Sequence, residues 1–124
     1  MVNAHHKGLR RLFYACCNSA DGLLAAWKNE EAFRQEVALA IVLVPAAFWV
    51  GENSVQISLL LLSVFLVLIV ELLNTCVEMV VDRISIEQHE LSRQTKDIAS
   101  AAVGVSLIAL AVVWGVISYA RFFA

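Results

Sequence analysis

Glycine is scarce and scattered: five in 124 residues, none in a G-x-x-x-x-G-K-[ST] arrangement. That excludes a backbone loop cradling phosphates, so any bound nucleotide must be held by side chains. The three cysteines, Cys16, Cys17 and Cys76, have no metal-ligand spacing. Two are adjacent and the third sits in an apolar run, so they read as reduced, structural thiols. Proline occurs once, at Pro45. Neither sign of charge dominates. Nine Lys and Arg against eleven Asp and Glu leave a net charge of −2, which offers no bulk attraction for nucleic acid. There is no internal repeat and no low-complexity tract. The first dozen residues are polar, with no short apolar segment and small-residue cleavage site after them, which argues against a cleaved leader.

What is abundant is apolar. Hydrophobic residues make up 60% of the chain and the mean hydropathy is positive, too apolar for a soluble domain. The composition fits a small integral membrane protein. Residues 5–28 read as an amphipathic helix: Leu9, Leu12, Phe13, Cys16, Ala20, Leu23, Leu24 and Trp27 recur at spacings of three and four. Lys7, Arg11, Asn18, Asp21 and Lys28 lie opposite. A basic start with an aromatic stripe suits a helix lying on an anionic membrane face; the alternative is a helix packed on the protein's own core. Asn29 is expected to cap the next helix.

Three spans are expected, at 32–51, 54–81 and 98–120. Pro45 should kink the first, and Trp49 falls where an interfacial aromatic belongs. Gly51, Glu52, Asn53 and Ser54 form a tight turn. The 18 uncharged residues from Asn53 to Val70 cover roughly 27 Å as a helix, nearly the whole hydrocarbon thickness. Residues 83–97 are polar and read as a helical turn or short helix plus loop, with Ser85 and Gln88 at capping-box spacing. The third span contains 23 uncharged residues, Ile98 to Ala120, with small residues suited to close helix contact. Lys7, Arg10, Arg11, Lys28 and Arg34 precede the first span. Arg83, Arg93 and Lys96 separate the second and third, and no base separates the first and second. The positive-inside rule then puts the N-terminus and the 83–97 segment in the cytoplasm.

The chemistry gathers at that cytoplasmic edge. Glu71, Glu78 and Asp82 follow at spacings of seven and four. At about 100° per residue they stay within roughly 20° of one helical line, with Asn74 on the same broad face. A stripe of carboxylates entering lipid is costly unless it faces water, a cation or another helix. Glu71 falls near the headgroups, poorly solvated and suited to accept a proton. Glu78 lies roughly 10 Å nearer the cytosol. Glu30 and Glu78, from two helices, suit Mg²⁺, a hard cation that takes few carboxylates and keeps phosphate oxygens. Lys96 and Arg11 suit phosphate charge. A phosphate donor on the water side and an acceptor hydroxyl on the lipid side would meet between Glu78 and Glu71, as phosphoryl transfer requires. Blander readings exist. Glu30 and Arg34 pair as i and i+4 neighbours, Asp82 beside Arg83 is a solvated helix end, and His89 is a surface histidine.

Three stretches, WKNEEAFRQE (27–36), VELLNTCVEMVVDR (70–83) and EQHELSRQTKDIASAAV (87–103), resemble the small bacterial integral-membrane diacylglycerol kinase family. The spacing of these blocks, the three spans and the length match it as well. The resemblance implies an all-α homotrimer of three-span subunits with an N-terminal surface helix. It implies transfer of the ATP γ-phosphate to diacylglycerol in the bacterial inner membrane, with Mg²⁺, giving phosphatidic acid. It assigns Glu71 as general base with Asn74 beside it, and Glu30 and Glu78 as metal ligands. Arg11, Asn18, Glu30, Glu78, Glu87, Gln88, His89, Lys96 and Asp97 are implied on the nucleotide. Arg11, Ala32, Phe33, Arg34, Gln35, Glu36, Glu71 and Ser100 are implied on the lipid. Asn18 and Gln88 depart from the family, standing where it carries an aromatic. Arg93 and Gln94 stand where Gly-Arg is usual.

Two other functions fit parts of this pattern. A sister family phosphorylates undecaprenol with the same core motif, and the WKNEEAFRQE block favours diacylglycerol. A small oligomeric ion or proton transporter would also carry intramembrane acids. Its path, however, needs acids near the midplane, whereas these collect at one edge. A three-helix subunit leaves the acidic face open, so a site shared between subunits is expected.

Overall fold

The computed structural model describes residues 7–84 and 90–124, and every described segment of length is helical. Helix α1 runs Gly8–Asn29, α2 Glu31–Val50, α3 Ser54–Ile84 and α4 Glu90–Phe122. Two compact units divide the chain, residues 1–31 and 32–124.

In the first unit, α1 begins at Gly8, whose positive φ of 65° only glycine adopts without strain. Lys7 before it is extended, and the expected starting residues 5 and 6 lie outside the described residues. Gly22 does not interrupt the helix. Asn29 does not cap the second helix as expected. It is the last residue of α1, and its Nδ2 donates to the Ala25 carbonyl at 2.9 Å. The break falls instead on Glu30, which is extended and whose N–H donates to Ala26 O at 2.9 Å. An Asn side chain that bonds back one turn satisfies a helix C-terminus and is no longer free to cap forward.

In the second unit, α2, α3 and α4 are each long and apolar enough to cross a membrane. Helix α2 continues through Pro45. The α2–α3 turn has a close-packed start. The Asn53 side chain accepts from the Gln56 N–H at 2.9 Å, and Gln56 Oε1 accepts from the Glu52 N–H at 2.8 Å. This reciprocal exchange satisfies backbone donors that no helical carbonyl reaches. Gly51 is required there, because a Cβ would meet Ile57 Cγ1 at 2.5 Å and the Ala47 carbonyl oxygen at 3.1 Å.

Two apolar clusters hold the unit together. Ala40, Val64, Val67 and Leu110 form one; Ala47, Val50, Leu60 and Ile117 form the other, and Trp114 packs against both. Trp114 Nε1 also donates to Ser63 Oγ at 3.1 Å, and Ser63 Oγ donates to Leu60 O at 2.7 Å. Outward residues such as Ile41, Leu62, Phe65, Val105 and Val116 are exposed. An apolar surface of that extent belongs against lipid or another chain.

Helix α3, at 31 residues, measures roughly 46 Å, well beyond a hydrocarbon core of about 30 Å. In the polar segment expected as a turn or short helix plus loop, the described residues, 83–84 and 90–97, are helical. Helix α3 reaches Ile84 and α4 starts at Glu90. Arg93 explains the second part: it bridges Glu90 at 2.5 Å and Asp97 at 3.3 Å, both one turn away on α4. Ser85 and Gln88, the expected capping pair, lie outside the described residues.

Candidate active site

The buried face of α3 changes character along its length. Its buried residues are Leu60, Ser63, Val64, Val67, Glu71, Asn74 and Thr75, a repeat of three and four. The first turns of this face fill the apolar clusters. From Glu71 onward the same face is polar. The acidic stripe therefore begins at Glu71 as the continuation of the core-facing side of α3 and opens to solvent through Glu78 towards Asp82.

Glu71 is 2% exposed and Asn74 8%. The Glu71 backbone carbonyl accepts from Thr75 Oγ1 at 3.0 Å, which spares the side chain. The Glu36 carboxyl, from α2, lies within hydrogen-bonding reach of the Glu71 carboxyl, as does the Asn74 side chain. Asn74 Nδ2 donates to Glu78 Oε1 at 3.2 Å. Asn74 thus connects the two acids one turn to either side of it. Glu78 is partly exposed, the position of a group open to a soluble ligand. Among the described residues, Glu36 Oε2 and Asn74 Oδ1 are buried oxygens with no hydrogen-bond partner. A buried oxygen without a donor is costly and marks a place for a proton, a hydroxyl or a cation.

Further along, Lys96 Nζ of α4 donates to Asp82 Oδ1 of α3 at 2.5 Å. Asp97 is exposed and held by Arg93. Ser100 is exposed on α4. At the start of α2, Phe33 is buried, Ala32 and Arg34 are partly exposed and Gln35 is exposed. On α1, Arg11 and Asn18 are exposed, and Glu30 is partly exposed at the helix junction. Glu87, Gln88 and His89 lie outside the described residues.

The structure thus gathers Glu36, Glu71, Asn74 and Glu78, with Asp82 and Lys96 beyond them. Two contacts were not legible in the sequence. Glu36 is implied there only on the lipid, yet it meets Glu71 because α2 and α3 share two apolar clusters. Asp82 reads as a solvated helix end, yet it binds Lys96. The available signal was the heptad spacing from Val64 to Glu71 to Glu78, which extends a core position into the acids. No group of three or more His, Cys, Asp or Glu suited to a metal occurs among the described residues. Mg²⁺ needs only one or two protein carboxylates. Glu78, with the unpartnered Asn74 oxygen beside it, fits such a hard, oxygen-seeking ion.

Comparison with known proteins gives one consistent match. The family model for prokaryotic diacylglycerol kinase matches residues 17–118. A diacylglycerol kinase of Haemophilus influenzae is 48% identical over 108 residues, covering 87% of this chain and 92% of that protein. One of Escherichia coli strain K12 is 44% identical over 115 residues, covering 93% and 94%. One of Pseudomonas aeruginosa is 44% identical over 110 residues, covering 89% of each.

Proposed function

The chain belongs to the prokaryotic diacylglycerol kinase family and transfers phosphate from ATP to a lipid alcohol, and from that premise we propose that Glu71 is its general base. The observation that carries this reading is a buried carboxylate, Glu71, joined through Asn74 to a partly exposed one, Glu78, on a single face of α3. A lipid hydroxyl arrives from the apolar side and a nucleotide from the aqueous side, so the two acids suit the two substrates.

Glu71 takes the hydroxyl proton as the lipid oxygen forms its bond to the γ-phosphorus. The bond from that phosphorus to the β,γ-bridging oxygen breaks and ADP leaves. Burial keeps water, a competing acceptor, from the base. Asn74 orients Glu71 and Glu78 together. Glu36, within reach of Glu71, contacts the glycerol end of the lipid, with Ala32, Phe33, Arg34, Gln35 and Ser100 along the same substrate. Glu78 and Glu30 are the carboxylates for Mg²⁺, which when bound neutralises phosphate charge. Lys96, Asp97 and Arg11 serve the nucleotide, together with Asn18, Glu87, Gln88 and His89. The protein acts as a homotrimer in the bacterial inner membrane, its N-terminus and the α3–α4 connection cytoplasmic and α1 on the membrane surface. Bases flanking these segments support that orientation.

The test is direct. Purified protein in mixed micelles receives labelled ATP, Mg²⁺ and either diacylglycerol or undecaprenol. Label is expected in phosphatidic acid. Label in undecaprenyl phosphate alone would move the substrate to the polyprenyl alcohol, and label in neither would remove the lipid kinase reading.

A further inference from the structure

Asp82 closes the acidic stripe, and the mechanism above does not use it. Its location is locally unfavourable twice over. It lies in the last turn of α3, where the free carbonyls concentrate negative charge and acids are disfavoured. It also follows Glu78 by four residues, a like-charge spacing that weakens a helix. Lys96 offsets both. Its ammonium donates to Asp82 Oδ1 from fourteen residues away on α4, and Glu78 lies within electrostatic reach of the same cation. Arg93, by contrast, makes its ion pairs within α4.

The pair is a poor brace. Its side chains are 42% and 65% exposed, and ion pairs that wet add little to stability. Its effect lies in where it leaves the cation. A lysine ammonium is a compact charge on a flexible four-carbon stem, and ordering that stem costs rotamer entropy. The ammonium has three N–H donors. One is spent on Asp82, and two remain.

We infer that Asp82 is a positioning residue for Lys96: it holds the ammonium on the Glu78 side of α4, with two N–H donors left for phosphate oxygens, so that nucleotide meets a cation already in place. The inference rests on the lipid kinase reading, in which Lys96 serves the nucleotide. It deepens that reading by adding a residue that acts through another.

A double-mutant cycle tests it. Binding of Mg²⁺-ATP to the full-length, detergent-solubilised protein is measured by calorimetry for the unsubstituted chain, Asp82→Asn, Lys96→Met and the double variant, with thermal unfolding alongside. Asp82→Asn is expected to weaken binding about two- to fivefold, the range of exposed ion pairs. That sign is informative, because removing an acid near an anion should otherwise tighten binding. In the Lys96→Met background the same change should no longer weaken binding: with only the repulsion of the acid removed, affinity stays level or tightens slightly. Asp82→Glu should recover part of the loss, and the KM for ATP should rise more than kcat falls. Equal weakening in both backgrounds, or tighter binding by Asp82→Asn, overturns the inference while leaving the kinase reading in place. No nucleotide binding by the unsubstituted protein overturns both.

Discussion

At the scale of single residues, the division of labour rests on burial. Glu71 and Glu78 are the same side chain seven residues apart on one face, yet one is closed from water and the other is not. Glu71→Gln preserves shape and hydrogen bonding but cannot take a proton. Turnover should fall at least about a hundredfold, while Mg²⁺-ATP affinity stays close to that of the unsubstituted protein. Substantial residual turnover would remove the base assignment. Glu78→Gln should instead shift the Mg²⁺ titration steeply upward, because a neutral amide is a weaker ligand for a hard cation. An unchanged titration would count against Glu78 as a ligand.

At the scale of elements, the α2–α3 turn sets the register in which Glu36 meets Glu71. Gly51 permits the close approach of Ile57 and Ala47, and Asn53 with Gln56 satisfies the first donors of α3. Gly51→Ala forces a methyl into occupied space and should destabilise by about 1–3 kcal/mol, read as a lower unfolding temperature in detergent. Asn53→Ala should cost about 1 kcal/mol through the lost cap. If Gly51→Ala leaves the unfolding temperature unchanged, the turn is looser than its contacts imply. The helix-forming pattern of α3 and α4 was plain in the sequence, as were the approximate spans. The reach of α4 back to Glu90 was not, because a polar stretch reads as a short helix plus loop until intrahelical pairs such as Arg93 with Glu90 and Asp97 are seen to hold it.

At the scale of the whole molecule, the second unit carries much outward-facing apolar surface and an acidic face of few walls. A composite site follows if neighbouring subunits complete it. Mixing Glu71→Gln chains with Arg11→Ala chains should restore measurable turnover in mixed oligomers, because Glu71 and Arg11 lie in different units of the chain and one intact site can form from two damaged subunits. Mixed oligomers verified by crosslinking that show no recovery would argue for sites confined to one chain.

The sequence by itself determined that this is a helical membrane protein, how many spans it has, which acids share one face, and which family it resembles. Those properties follow from local composition and from a period of 3.6 residues, and both are written along the chain. Only the tertiary structure decided that the acidic stripe continues the packed side of α3, that Glu36 approaches Glu71, and that Asp82 takes Lys96. Each of these joins residues on different helices or sets a face against a neighbour, and no local period encodes which helix will lie alongside.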